Sequence, residues 1–216
     1  IISGSSQLTS SFDVRYALSG SMINNNTSTG SYGSFFDTGS YTLSSTTTIY
    51  SASLSTTDIS NGVYISGSDR TKIYFTNPGI YDLEFSLQLQ NTNTGNASDN
   101  IDVWIRQGNG SGSANDISAS NNIITVPNKA GNNNGFIIAA WNVFVNANAN
   151  DYVQLCYVPS STTIQVVTIP PQSNPNVPQS PSLILTAHRV DQYLSNTGSF
   201  SGSFVGTLSG DISSSA

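Results

Sequence analysis

Alternation of apolar and polar residues is clearest in YDLEFSLQLQ. Tyr81, Leu83, Phe85, Leu87 and Leu89 fall on one side, and Asp82, Glu84, Ser86, Gln88 and Gln90 on the other. Successive side chains of a strand point to opposite faces, so this pattern predicts a half-buried antiparallel strand. The turn signal Asn77-Pro78-Gly79 stands just before it. IDVWIRQ puts Ile101, Val103 and Ile105 on one face and Asp102, Trp104 and Arg106 on the other, then breaks at GNGSGS. FIIAAWNVFV is apolar on both faces, which predicts a central strand covered on each side.

Shorter signals complete the set. GVYIS and KIYF flank the polar link GSDRT, YTLSSTTTIYSAS is Thr-rich and β-prone, and NANAND leads into YVQLCYV. TTIQVVTI and SLILTAHRV are separated by PPQSNPNVPQSP, whose prolines suit an extended loop and not a central strand. About eight strands joined by Asn/Gly/Pro loops, with no helical period, predict an all-β two-sheet sandwich, and a jelly roll fits that number best. A seven-stranded immunoglobulin-like sandwich is the alternative, but its Cys…Trp…Cys spacing is absent.

Texture divides the chain into three: a Ser/Gly-rich stretch at 1–40, the strand-bearing domain at 41–190, and a return to Ser/Gly at 191–216. In the last stretch glycine falls at 198, 202, 206 and 210, with Phe200, Phe204, Leu208 and Ile212 two places after each. In an extended chain these share a face on which a large side chain alternates with none. A lone strand has nothing to bury that face against, whereas copies about a common axis let each large residue fill a neighbour's glycine gap. Phe200, Phe204, Leu208 and Ile212 are therefore candidate axis residues of a self-associating stalk. Ile2, Gly4 and Leu18, Gly20, Met22 repeat the spacing near the start. The competing reading is a solvated Ser/Gly linker.

Charge narrows the function classes. Six Lys and Arg against twelve Asp and Glu give a net charge of −6, and only 8% of residues are charged. Nucleic-acid binding needs several cations aimed at phosphates, so it is excluded, and an acidic membrane surface is an equally poor partner. No apolar run is long enough to insert in a membrane, and no signal peptide is present. The start at Ile1 suggests a piece of a longer chain.

Catalytic candidates are few. The single cysteine, Cys156, rules out an internal disulfide and reads as a buried strand thiol. The single histidine, His188, shares a strand face with Ile184, Thr186 and Val190 and reads as structural. No nucleophile-elbow motif, zinc ligand set or phosphate loop is present, so no catalytic residue, cofactor or metal is assigned. Asp99 and Asp102 could pair on calcium but read as ordinary turn residues. Trp141 reads as core, and Trp104 is the candidate surface contact.

Three stretches carry a family resemblance: NPGIYDLEFSLQLQNTNTGNASDNIDVWIRQGNG, AAWNVFVNANANDYVQLCY and PSLILTAHRV. Together they resemble the jelly-roll module of tailed-bacteriophage virion proteins, similar in topology to the C1q/tumour-necrosis-factor family. ISGSSQLTSSFDVRYALSGS looks like the repeated stalk segments of marine phage, in particular cyanophage, fibres. The resemblance implies a non-enzymatic homotrimer in the virion, a tail-fibre segment with a trimer axis through the stalk. Its exposed loops would be free to contact a host-surface glycan or protein. A capsid decoration or collar protein binding other virion proteins is the alternative.

Overall fold

The computed structural model of the chain describes residues 30–95, 98–110 and 112–190. Among them run sixteen strands in chain order. The first six are β1 (Tyr32–Asp37), β2 (Tyr41–Thr42), β3 (Tyr50–Ser51), β4 (Thr56–Asn61), β5 (Val63–Ile65) and β6 (Ile73–Phe75). The next five are β7 (Gly79–Asn91), β8 (Asp99–Gly108), β9 (Ala114–Asp116), β10 (Asn122–Val126) and β11 (Gly135–Ala147). The last five are β12 (Tyr152–Pro159), β13 (Ile164–Val166), β14 (Gln172–Ser173), β15 (Asn176–Val177) and β16 (Leu183–Arg189).

Eight of these, β1, β6, β7, β8, β10, β11, β12 and β16, build the sandwich. Each of four antiparallel pairs joins a strand to its mirror in chain order: β1 with β16, β6 with β12, β7 with β11, and β8 with β10. A long hairpin rolled around a barrel-like core gives this nesting, and it is the jelly roll that the strand number anticipated. The first sheet holds β1, β16, β7 and β11, and the second holds β6, β12, β8 and β10, with β5 hydrogen-bonded to β6.

The alternation read in YDLEFSLQLQ is realised along β7. Tyr81, Leu83, Phe85, Leu87 and Leu89 are buried and their alternates are partly or fully exposed. They meet Ile101, Val103 and Ile105 of β8 and Val153, Leu155 and Tyr157 of β12 in one core. Fully burying a side chain of this size is worth roughly 1.5–3 kcal/mol, so this layer dominates the stability. The Tyr81 ring lies 4.3 Å from that of Phe75, and its hydroxyl donates to the Asn77 carbonyl at 2.8 Å, so its polar end is satisfied at the Asn-Pro-Gly turn.

Two expectations need correction. The strand β1 lies inside the stretch read as stalk, so the sandwich begins by Tyr32 and not at 41. FIIAAWNVFV, expected as a central strand, forms β11, which pairs only with β7 among the described residues and is therefore an edge. The proline-rich stretch is a loop as expected, carrying only the two-residue strands β14 and β15. Phe200, Phe204, Leu208, Ile212 and the matching N-terminal repeat lie outside the described residues.

Candidate functional site

Along its whole length β11 is in register with β7, from Gly135 opposite Asn91 to Ala147 opposite Gly79. Its inward residues join the core: Ala139, Val145 and Ala147 are buried, and Ile137, Trp141 and Val143 pack against them. Trp141, expected in the core, meets the Phe85 ring edge-on at 4.5 Å. Three of its outward residues are large and apolar and stay exposed among the described residues: Phe136 is 49% exposed, Ile138 59% and Phe144 60%. Ile80 of β7 and Ile184 of β16 extend the patch at 42% and 40%.

The unpaired margin of β11 is as unusual as its face. Thirteen residues present one row of backbone donors and acceptors without a single charged side chain or proline among them. Edges that stay in solvent are usually blunted by charge, proline or shortness, because a long plain edge templates association. None of those devices is present.

Between the apolar ends of this face lies a polar middle. Asp82 and Glu84 of β7 stand opposite Phe144 and Asn142, and the Asn142 amide donates to Asp82 at 3.2 Å. His188, exposed on the central strand β16, is in register with Asp82. Among the described residues the Gln88 Nε2 amide, on the residue in register with Ile138, is buried without a hydrogen-bond partner, and so is the Trp141 indole N–H. Leaving such a donor unpaired costs about 1–3 kcal/mol.

On the outer face of the second sheet aromatic rings stack on one another at one end, while Ile123 of β10, opposite Asp102, is 65% exposed. The Tyr74 ring lies 5.6 Å from Tyr64 and 5.3 Å from Tyr152, and Lys72 sits 4.8 Å above Tyr152. Trp104 belongs to this face, in register with buried Cys156. Expected as a surface contact, it is 9% exposed, and its indole N–H donates to Asp116 at 2.8 Å. Arg106 closes on the same carboxylate at 2.7 Å, and its hydrogen bond holds the Asp116 carboxyl below the usual range against the opposing effect of burial. Burial pushes the Cys156 thiol up, which keeps it protonated and unreactive.

The chain enters and leaves the sandwich at one pole. The Arg189 backbone N–H donates to the Ser31 carbonyl at 2.8 Å, and Arg189 is in register with Tyr81 at the start of β7. Loops after β7 and before β11 therefore gather at the opposite pole, joined by Asn91 to Asn128, and Asp99 ties the first of them to the loop between β12 and β13. One Asp99 oxygen accepts from Asn91 at 3.0 Å, Asn93 at 2.9 Å and Thr163 at 3.1 Å. Burial would raise the Asp99 carboxyl, but the hydrogen bonds outweigh it and hold it below the usual range. Asp102, three residues on, lies on the other face of β8 and accepts from Asn121 at 3.0 Å, so the two carboxylates do not converge on an ion. Among the described residues no group of three His, Cys, Asp or Glu could hold a metal, and no helix is long and apolar enough to cross a membrane.

No family model matches the chain, and no curated protein matches it. Among solved structures it is similar to murine APRIL in crystals at pH 5.0, 8.0 and 8.5, with TM-scores of 0.47, 0.45 and 0.44. Each comparison covers 74% of this chain and 99% of that one at 8% identity. The jelly-roll assignment stands on the strand pairing alone.

Proposed function

We propose that this chain is a non-enzymatic structural component of a bacteriophage virion, a homotrimeric tail-fibre segment whose exposed loops contact the host surface. One observation carries the self-association: the long, uncharged β11 edge with Phe136, Ile138 and Phe144 bare on its outer face. An edge of one copy laid on the sheet face of the next is a heterologous contact, and such contacts stay finite only when they close into a ring. The threefold number, the virion and the fibre role come from the resemblance of the sequence to phage modules, and the repeats of glycine with a large apolar residue two places on supply the stalk.

Light scattering on the purified chain tests the assembly: three times the 22.8 kDa chain mass is expected. A stable monomer at micromolar concentration overturns it. Antibody labelling of intact particles then tests the role, because a tail-fibre segment is decorated away from the capsid and a decoration or collar protein on it.

A further inference from the structure

Beside Trp104, on the outer face of the second sheet, lies a depression of about 290 Å³. The strip of Trp104 left uncovered, with Ile117 and Val158, makes an apolar floor, and Asp102, Asn121 and Asp116 stand around it. We propose that this depression is a saccharide subsite, taking one neutral pyranose ring with its C–H face on the floor and a vicinal hydroxyl pair on Asp102 and Asn121.

Three features select that ligand. First, Asn121 donates one amide hydrogen to Asp102 at 3.0 Å. The other Asp102 oxygen and the second amide hydrogen make no further hydrogen bond among the described residues. An acceptor and a donor fixed side by side match two neighbouring hydroxyls, one giving and one receiving a proton. Second, Asp116 is already bound by Arg106 and by the Trp104 indole, so its charge is matched and the floor is held rigid. One unmatched carboxylate beside an amide suits a neutral polyhydroxylated ligand better than a cation, which would also want open aromatic faces around it. Third, a mainly apolar hollow with a few convergent polar groups is the usual form of a small-ligand site, and its volume suits a ring and not an extended peptide.

This deepens the host-contact reading by moving the contact to a sheet face and giving it a chemistry. It is independent of the trimer, because the depression is on the sheet away from β11, so the two readings fail separately.

The test is two-dimensional NMR on the full chain, following the Trp104 indole N–H while methyl pyranosides of glucose, galactose and mannose are added in turn. Trp104→Phe assigns the signal against that of Trp141. At least one pyranoside should shift it saturably in the millimolar range, as expected for a single ring. Asn121→Ala and Asp102→Asn, both surface changes, should each weaken that binding by about tenfold or more with the far-UV spectrum unchanged. No saturable shift with any of the three sugars overturns the proposal. So does binding that survives in both variants, or a response to tetramethylammonium chloride in place of the sugars.

Discussion

Replacing Phe144 by Asp separates an interface residue from a core residue. Phe144 is 60% exposed in the single chain. An aromatic side chain offers roughly 200 Å² to bury, so a partner covering the exposed part removes roughly 120 Å² from water. At about 25 cal/mol per Å² this is about 3 kcal/mol per copy. A closed ring loses it three times over, about 9 kcal/mol, which weakens trimer formation by on the order of a millionfold before the carboxylates are desolvated. Sedimentation velocity at micromolar concentration should give the parent at three times the chain mass and Phe144→Asp at one. Far-UV circular dichroism should match, because the side chain takes no part in the core. Tyr64→Ser, at a 45% exposed aromatic on the second sheet, should leave the mass alone. A Phe144→Asp protein that sediments with the parent refutes the interface, and one that unfolds refutes the claim that this face is free in the monomer.

Other outcomes follow from single contacts. Phe85→Asp should abolish soluble folding, since a carboxylate beside Trp141 in the core has no partner, and expression with solubility fractionation reads it. Gln88→Lys should lower both thermal stability and the trimer fraction, because the amide nitrogen it replaces is already buried without a partner, and a thermal melt and sedimentation velocity read the two. Gly135→Ala should destabilise the chain by several kcal/mol in urea titration, because a Cβ there would collide with the Pro127 backbone carbonyl, which cannot swing aside. Asp116 should titrate below the usual carboxylate range, because its folded form favours the charged state. Its contribution is then present above the ordinary value near 4 and lost as pH falls through the depressed one, and the Trp104 indole shift should follow that midpoint.

The sequence made the core side of this fold readable wherever one face was wet. β7 and β8 alternate cleanly, and their inward residues were named from spacing alone. β11 shows where such reading stops. Apolarity on both faces says that both are covered, but not whether by the same chain or by another copy, and here the described residues cover only one face. β1 was missed for a different reason. Its inward residues are Gly33, Phe35 and Asp37, all buried, and only one of them is a large apolar residue. Trp104 was placed on the correct face of β8, but its cover comes from β9, a three-residue strand drawn from what reads as a loop tip. The Asp102–Asn121 pair joins residues nineteen apart and gave no local signal.

The meeting of Ser31 and Arg189 at one pole bears on how such a molecule is inherited. A module whose two ends leave side by side behaves as a cassette: deleting it leaves a gap that a short turn could bridge, and inserting it elsewhere displaces little of the host chain. Exchange of one such module for another alters what the assembly displays while leaving the path of the flanking chain as it was. Recombination junctions falling before residue 31 and after residue 189 would cut no strand of the sandwich. Replacing residues 31–189 by a two-residue turn should therefore leave a flanking stalk able to assemble by itself.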